Sequence, residues 1–251
     1  MIIKSPEDRH IPNLRQLWQQ AFGDTAAFLD GFFATGFAPD RCRCVLWEDR
    51  VLAAHYWFDC TWHGKKIAYL YAVATDEACR GQGLCRALVE NTHLHLKLQG
   101  YAGTVLVPGT PSLAAMYEKL GYQTFLWAQK QEISAGVPLP LTRISAAEYN
   151  AARNARLPEN AVSHSAEAIA FLATYCDFYK GPDFLLAAAK EENTLHIQEY
   201  LGDPDKLPGI TAALDAKTAT LRLPGGSTPF GMFHSLTGST QTPTWFGIAL
   251  D

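Results

Sequence analysis

The chain has 251 residues, of which 48% are apolar and 18% are charged, a composition typical of a folded protein with a sizeable core. Its net charge of −4, without any cluster of lysine and arginine, excludes a general binder of nucleic acids or of membrane surfaces. No apolar run approaches the roughly 20 residues needed to span a bilayer, and no signal peptide is recognisable, so we expect a cytoplasmic protein.

The first half of the chain is predicted to begin with two helices and to continue with a meander of antiparallel strands. A short strand at 1–4 leads to a helix that begins near Ser5, where a capping residue precedes a proline and two acidic residues, and ends at Gly23. The apolar spacing then predicts, in chain order, a helix at 25–35, strands at 42–47, 51–62 and 66–75, a helix at 83–99, a strand at 103–107, a helix at 112–120 and a strand at 122–133.

The second half begins after a stretch rich in proline and glycine at 135–140, which cannot continue a central strand and is interpreted as a linker. Beyond it we predict a helix that begins at Ser145, helices at 166–178 and 205–216, and strands at 194–201, 218–223, 230–236 and 245–250. The sequence therefore predicts an α+β protein with one domain at 1–135 and a smaller α+β domain at 141–251.

The segment from Tyr69 to Arg86 joins a β-rich run to a helix through a turn that contains Gly81 and Gly83. The first N–H groups of a helix lack intrahelical partners and the helix dipole is positive there, so such a turn is suited to an anion. The glycines leave room for a pyrophosphate near the backbone, and Arg80 and Arg86 add positive charge. A turn of this composition also commonly does no more than cap a helix, so both interpretations stay open on this segment alone. The dinucleotide pattern lacks its third glycine, and no Walker-type Gly-Lys-Ser/Thr is present.

Two motifs resemble those of the GNAT acetyltransferases. Arg80-Gly-Gln-Gly-Leu-Cys85 is similar to the Gln/Arg-x-x-Gly-x-Gly/Ala signature that cradles the pyrophosphate of acetyl-CoA in that family. Ala115-Met-Tyr-Glu-Lys-Leu-Gly-Tyr122 is similar to the family's next helix, commonly written Leu-Tyr-Glu-Lys-Leu-Gly-Phe. The predicted element order through residue 133 matches as well, so the resemblance covers 1–135 and implies a GNAT fold with a mixed, mainly antiparallel central sheet.

The resemblance implies acetyl-CoA as the co-substrate and assigns it a set of contact residues. The main chain at the end of strand 66–75 would meet the pantetheine arm, and the glycine turn would surround the pyrophosphate. Tyr117 would act as the general acid that protonates the departing CoA thiolate, a role for which a phenol is chemically suited. The alternative is that Tyr117 only packs on the sheet. The implied cofactor-binding residues are Val73, Ala74, Thr75, Arg80, Gly81, Gln82, Gly83, Leu84, Cys85, Arg86 and Ser112.

The chain departs from the family pattern at several positions. Cys85 stands where glycine or alanine is usual, and Thr110 replaces an asparagine often found seven residues before the tyrosine. The strand that usually carries a catalytic carboxylate, at 103–108, contains no acidic residue, so the general base is missing from its common place. The sequence does not decide among the other candidates for proton removal through water, which are Asp59, Glu77, His55 and the chain's C-terminus.

A narrower resemblance is to aminoglycoside acetyltransferases of the enhanced-intracellular-survival type. It is carried by Gly83-Leu-Cys-Arg-Ala-Leu88, by the Val73-Ala74 strand end and by Ser112. Those proteins follow a catalytic GNAT domain with a second, degenerate GNAT-like domain and a third domain, for which this chain is too short. The resemblance implies that 141–251 is the degenerate copy. In that type the terminal carboxylate helps to deprotonate the amine, which makes Asp251 a candidate base.

We expect the acceptor to be a primary amine of a small molecule. The early helices and the aromatic strand 51–62 would bind it, because an aromatic-walled pocket with one or two carboxylates suits a cationic amine. No metal site is predicted, since the six cysteines lack paired zinc spacing and His93 and His95 point to different faces of their helix.

Other functions stay open at this stage. One is an acyltransferase of the same fold that acts on protein or peptide amines or uses a longer acyl-CoA. Another is a non-catalytic CoA-binding module, which the missing base would explain, and a third is the binding of a nucleotide phosphate. Neither a nucleic-acid partner nor a membrane partner is expected, and a homo-oligomer remains open.

Overall fold

The structure is a computed structural model that describes residues 1–250. The chain forms two compact units. Unit 1 consists of Met1–Gln123 and Met232–Thr242, and unit 2 consists of Thr124–Gly231 together with the residues from Pro243 onward. The mixed α+β fold with a mixed sheet is as predicted. The division into 1–135 and 141–251 stays a prediction.

Unit 1 combines a meander of long strands with helices on both sides. Its elements are β1 (Ile2–Lys4), α1 (Ile11–Phe22), α2 (Ala26–Thr35), β2 (Cys42–Trp47), β3 (Arg50–Trp62), β4 (Lys65–Thr75), α3 (Leu84–Leu98), β5 (Gly103–Leu106) and α4 (Pro111–Glu118). Within the described residues, no helix of the chain is long and apolar enough to cross a membrane.

Unit 2 begins within β6 and contains shorter elements. They are β6 (Gln123–Ser134), β7 (Thr142–Ile144), α5 (Ala146–Asn154), β8 (Ser163–His164), α6 (Ala166–Leu172), β9 (Asp177–Lys180), β10 (Leu185–Glu191), β11 (Thr194–Leu201), α7 (Leu207–Ala213), β12 (Thr218–Pro224) and β13 (Thr228–Ser235). The last four residues of β13, Met232–Ser235, belong to unit 1.

The sheet of unit 1 has the strand order β1-β2-β3-β4-β5-β13. The first four strands are antiparallel neighbours, as expected for a meander. β5 follows the crossover helix α3 and lies parallel to β4. Its other neighbour is the end of β13, which runs antiparallel and pairs Met232 with Leu106 and Ser235 with Gly103.

The sheet of unit 2 has the corresponding order β7-β9-β10-β11-β12-β6. Three antiparallel pairings are again followed by a crossover helix, α7, and by a parallel strand, β12. The sixth position is again antiparallel, because β6 pairs with β12 from Ala128 to Ser134. The matching order and direction of six strands support the interpretation of the second half as a GNAT-like copy.

The core of unit 1 lies on both faces of its sheet because neighbouring strand residues point to opposite sides. Trp57 on β3 joins a cluster with Leu70, Val89 and Leu106 under α3 and α4. Tyr56, next to Trp57, packs against helix α1 on the other face, with its ring centroid 5.2 Å from that of Trp18. Alternating aromatic residues therefore fix β3 between the two helical layers.

Two buried histidines of unit 1 should make the protein less stable in mild acid. Burial lowers the pKa of both His55 and His93 to about 3, against about 6.5 in an unfolded chain. The unfolded chain therefore binds protons between pH 6.5 and 3 that the folded chain does not. We expect the free energy of unfolding to fall by up to about 1.4 kcal/mol per histidine for each pH unit below about 6.5.

Urea unfolding at pH 7.5, 6.0 and 5.0 measures this effect. The variant His55→Gln should show a shallower pH slope, because one of the buried titrating groups is removed. A free energy of unfolding that stays constant between pH 7 and 5 would contradict the assignment of neutral, buried histidines.

The structure corrects the prediction for the first helix. Ser5 does not cap it. The chain remains extended through Glu7, whose N–H donates to His10 Nδ1 at 2.9 Å, and a single 3-10 turn precedes α1. Pro12, in the first turn of α1, is the proline that starts this helix, because its missing N–H is not needed there. By contrast, Ser145 caps α5 as predicted: its Oγ accepts from the Glu148 N–H at 3.2 Å.

Two further predictions for the second half were wrong. The helix expected at 166–178 ends as α6 at Leu172 and is followed by the strand β9. The strand expected at 245–250 is absent from the described chain; this tail forms an isolated bridge between Trp245 and Ala161. Strands β7, β9 and β10 were not predicted, although they form one half of the unit 2 sheet.

Candidate active site

The site of unit 1 begins where β4 and β5 part. The two strands pair only from Ile67 to Tyr69 on β4, and β5 ends at Leu106. β4 continues to Thr75, paired with β3 on its other side. Within the described residues, no strand pairs with the β5 side of β4 at positions 73–75, so the backbone groups there are available to another extended chain. Val73, Ala74 and Thr75, all predicted cofactor contacts, lie in this segment.

A β-bulge sets the direction of this strand end. Ala54 pairs with Ala74 and Tyr56 pairs with Tyr71, so Ala72 and Val73 together oppose a single residue of β3. Ala72 has φ of +48°, in the left-handed region that residues with a side chain rarely adopt. Bulges of this kind bend a strand and re-aim its backbone groups, and they are frequent beside active sites.

The glycine turn has the backbone geometry that the motif requires. Gly81 and Gly83 have φ of +76° and +79°, and a Cβ at either position would meet nothing within 4 Å. The two glycines are thus required for backbone conformation and leave open space in front of the turn. Gly83 is the residue before α3 and supplies no side-chain cap, so the first N–H groups of the helix are left for another acceptor.

A cavity of about 360 Å³ opens at this turn. It brings together most of the predicted pyrophosphate residues and adds side chains of α4 and its C-terminal end that sequence reasoning missed. The lining residues are Thr75, Cys79, Arg80, Gly81, Gly83, Leu84, Cys85, Arg86, Met116, Lys119 and Leu120.

Five predicted residues do not line this cavity. Val73 and Ala74 lie farther back along β4. The side chain of Gln82 reaches the Ala78 carbonyl at 3.5 Å, and Ser112 bonds to Thr110 on the exposed start of α4. Tyr117, discussed below, is the fifth.

The cavity is electrically positive. Arg80, Arg86 and Lys119 line it, and no carboxylate is among its described lining residues. Arg80 Nε lies 3.3 Å from the Thr75 carbonyl, which ties the turn to the end of β4. Lys119 is the lysine of the Ala115–Tyr122 motif. The motif therefore contains this residue, but it does not by itself predict a ligand contact for it. Three cations at a helix N-terminus suit a di- or polyphosphate.

Tyr117 is buried on α4 beside the cavity. Its ring lies 5.5 Å from that of Tyr122 in an edge-to-face arrangement. Burial, followed by the nearby Cys85 and Tyr122, raises the pKa of the Tyr117 hydroxyl well above its ordinary value of 10. The phenol therefore stays protonated at neutral pH. Thr110, at the position of the family's asparagine, caps α4 by accepting the Leu113 N–H at 3.2 Å.

The structure gives two of the candidate bases other roles. His55 is fully buried, with Nε2 2.7 Å from Thr92 Oγ1, and burial lowers its pKa to about 3. Asp59 accepts a hydrogen bond from the Tyr101 hydroxyl at 2.6 Å and pairs with Lys66 at 3.0 Å. Glu77 lies exposed on a 3-10 turn next to the glycine turn. The fourth candidate, Asp251, lies outside the described residues.

Some of the aromatic residues expected to bind an acceptor form a cluster on the helical face opposite α3, whereas Trp57 lies on the other face, under α3. Trp18 of α1 contacts Phe32, Tyr56 and Tyr71, with ring centroids 4.6, 5.2 and 5.5 Å away. The indole N–H of Trp18 donates to Asp24 at 2.7 Å. A carboxylate thus stands at the edge of an aromatic cluster. No group of three or more metal-ligating side chains is found within residues 1–250.

Comparison with known proteins agrees with this geometry. Residues 3–125 match the model of a family described as an acetyltransferase (GNAT) domain. No curated protein matches the chain.

The fold resembles that of several solved structures. A GCN5-related N-acetyltransferase from Anabaena variabilis ATCC 29413 has a TM-score of 0.71 at 16% identity, and one from Kribbella flavida has a TM-score of 0.68 at 18% identity. Eis1 from Mycobacterium abscessus has a TM-score of 0.66 at 11% identity. In the first two cases the match covers 94% of this chain and 72% of the other; for Eis1 it covers 94% and 74%. At such identities the likeness establishes the fold alone. It confirms, for the fold, the resemblance to the enhanced-intracellular-survival type.

Proposed function

We propose that the protein transfers the acetyl group of acetyl-CoA to a primary amine of a small molecule by direct attack, because residues 3–125 match the model of the acetyltransferase (GNAT) domain. One observation carries the proposal. The positive cavity at the N-terminus of α3 lies at the end of β4, next to positions 73–75, which have no strand partner on the β5 side, so an anionic group and an extended chain can bind side by side.

The residues present fit acetyl-CoA. Its diphosphate would accept from the free N–H groups after Gly83 and pair with Arg80, Arg86 and Lys119. Its pantetheine arm carries amides, which would bond to the unpaired backbone between Val73 and Thr75 in the manner of an added strand. The thioester would then lie along β4, away from the phosphate end.

The chemistry requires a neutral amine, a polarised carbonyl and a protonated leaving group. A C–N bond forms to the acetyl carbon while its C–S bond breaks. In this proposal, backbone N–H groups of the bulged strand end near Val73 donate to the carbonyl oxygen. Tyr117 donates its phenolic proton to the departing thiolate, and the high pKa of the phenol keeps that proton in place beforehand. The amine gives up its own proton to water.

The acceptor class is supported by the rim of the aromatic cluster around Trp18, where Phe33 and Tyr71 are partly exposed, whereas Trp18, Phe32 and Tyr56 are buried. Aromatic rings attract cationic amines, and the Asp24 carboxylate at their edge adds charge complementarity. A peptide amine or a longer acyl group would use the same machinery. The absence of an acidic residue from β5 favours the alternative of a CoA-binding module without catalysis.

Calorimetric titration with acetyl-CoA, followed by an amine panel monitored through release of free thiol, tests these functions. We expect saturable binding of acetyl-CoA and thiol release with small cationic amines. Release with peptide amines only would select the alternative acceptor class. Binding without release across the panel would select the module, and failure to bind would end the proposal.

The glycine turn provides a sharper test. Gly83→Ala places a side chain at φ +79°, and Gly100→Ala does the same at φ +81° at the other end of α3, also with nothing within 4 Å. Both variants should lose about 1 kcal/mol of stability from the left-handed backbone. Only Gly83→Ala should also weaken acetyl-CoA binding, by about ten-fold or more, because it reshapes the turn that presents the N–H groups. Equal affinities in the two variants would show that the turn does not bind the cofactor.

A further inference from the structure

Three aromatic side chains form the exposed edge of the cluster around Trp18, and we call them the aromatic rim. Phe22 is 47% exposed, and Phe33 and Tyr71 are half-buried. The Trp18 ring centroid lies 5.9 Å from that of Phe22 and 5.5 Å from that of Tyr71. The Phe32 centroid lies 5.4 Å from that of Phe33 and 4.6 Å from that of Trp18, so the rim adjoins one buried aromatic floor. A ligand that covers the rim removes its apolar surface from water, which is favourable.

The helices beside the rim supply a single uncompensated carboxylate. α1, α2 and the residues that join them contain three charged side chains, those of Arg15, Asp24 and Asp30, and β4 contains no acidic residue. Arg15 pairs with Asp30, and its guanidinium lies 5.1 Å from the centroid of Phe33. Only the charge of Asp24 therefore remains to attract a cation. An acceptor with one ammonium group matches it, whereas a polycation brings further ammonium groups that these elements do not neutralise.

The rim also adjoins the strand end at which the thioester is proposed to lie. Tyr71 is two residues before Val73 on β4, a separation of about 6–7 Å along a strand. Ala72, at the bulge, lies between them. An amine nitrogen near Val73 is thus separated from the rim by a distance that two carbon atoms and a flat group can span.

We infer, on the basis of the proposed acetyl transfer, that the acceptor is a primary monoamine with a flat apolar group about two carbon atoms from its nitrogen. The flat group packs against the aromatic rim, and Asp24 attracts the ammonium as the acceptor approaches. Trp18 donates to Asp24 at 2.7 Å, which holds this carboxylate in a fixed orientation. The nitrogen then loses a proton to water, forms the C–N bond and displaces CoA as its thiol. The acceptor class is narrower than small amines in general and excludes polycations.

Two matched pairs of amines test this class in the thiol-release assay at saturating acetyl-CoA. The first pair, 2-phenylethylamine and ethylamine, differs by the ring. We expect kcat/KM to be about ten-fold higher for 2-phenylethylamine, since burial of about 60 Å² of apolar surface has an effect of this size. The second pair, 1,4-diaminobutane and butylamine, differs by the second charge. Per amino group, kcat/KM should be about three- to five-fold lower for the diamine.

The variant Phe33→Leu tests the rim itself. It keeps an apolar side chain and removes the ring, so the ratio of kcat/KM between 2-phenylethylamine and ethylamine should fall by about three-fold or more. Trp47→Leu is the matched control, because it removes an aromatic residue that is 56% exposed at the end of β2, and it should keep the parent ratio. Thermal unfolding checks that both variants fold. Phe22→Leu, at a more exposed position, takes the place of Phe33→Leu if that variant does not fold.

Calorimetric titration of 2-phenylethylamine into the protein saturated with CoA measures acceptor binding without turnover. Thiol release with equal kcat/KM in the first pair, or with a faster diamine in the second, overturns the inferred acceptor class while the acetyl transfer stands. An unchanged ratio in the Phe33 and Phe22 variants does the same. Binding of 2-phenylethylamine without thiol release from any amine contradicts the transfer and supports the aromatic site. Neither binding nor release overturns both.

Discussion

Replacing Tyr117 with phenylalanine is expected to lower kcat by about 10²–10⁴-fold and to leave the affinity for acetyl-CoA nearly unchanged. The ring keeps its contact with Tyr122, so the fold is retained, and only the proton for the leaving thiolate is lost. Calorimetry gives the affinity, and thiol release with the best amine of the panel gives kcat. This result would place Tyr117 in the chemical step, because cofactor binding is measured separately.

Tyr122→Phe is the matched control. Its hydroxyl lies 2.9 Å from His93 Nε2 and 2.8 Å from Thr104 Oγ1, so the variant removes buried hydrogen bonds from the same cluster. It should lose about 1–3 kcal/mol of stability and change kcat far less than Tyr117→Phe does. If Tyr117→Phe keeps full turnover, the phenol is not the acid, whatever its place in the motif.

Replacing Glu199 with alanine is expected to destabilise unit 2 by about 3–5 kcal/mol. The Glu199 carboxylate accepts from Arg153 Nε at 2.7 Å, from Arg153 Nη2 at 2.9 Å and from the Tyr149 hydroxyl at 2.6 Å. Both charged side chains are almost fully buried, at 0% and 1% exposure. Removing the carboxylate takes the Glu199 charge away from a buried guanidinium, and that is the origin of the large effect.

Denaturant unfolding of two further variants checks this origin. The double variant Arg153→Met/Glu199→Leu should recover most of the stability, because no buried charge remains. Arg143→Ala breaks an exposed ion pair with Asp177 and should cost less than about 1 kcal/mol. A double variant as unstable as Glu199→Ala alone would show that lost packing, not the uncompensated charge, causes the destabilisation.

The elements with strong periodic signals were predictable from sequence. The meander β2–β4 and the helix α3 carry alternating or helical apolar spacing together with glycine signals at their ends. β10 was missed because its sequence, Leu-Leu-Ala-Ala-Ala-Lys-Glu, consists of strong helix formers. Pairing with β9 on one side and β11 on the other overrides that propensity. A local sequence pattern carries no information on this pairing.

The tail at 245–250 shows the opposite error. Its aromatic and aliphatic residues are typical of a strand, yet Gly247 has φ of +78° and lies against the buried ion pair. A Cβ at Gly247 would come within 2.0 Å of Glu199 Oε1, so the tail is shaped by a residue 48 positions earlier. Patterns of neighbouring residues in the sequence do not predict such long-range contacts.

The residues of the candidate site that lie within local sequence motifs could be predicted. Seven of the residues expected to bind the cofactor line the cavity, because a glycine turn that opens a helix is a local signal. Cys79 directly precedes the turn in the sequence, whereas Met116, Lys119 and Leu120 come from α4 and the residues after it, and only the fold brings these three to the turn. The general base is not assigned by sequence or by structure, since its usual strand carries none.

The pairing of β13 with β5 has a consequence for biosynthesis. Leu236 N–H donates to the Ala102 carbonyl at 2.9 Å, and Phe233 lies so close to Gly103 that a Cβ there would meet its ring at 2.3 Å. Until the residues from Met232 onward have been translated, β13 is not there to pair with β5, and the sheet of unit 1 stays incomplete. A nascent chain released before that point would expose the β5 edge to other chains, so unit 1 completes its sheet only when the segment Met232–Ser235 has emerged.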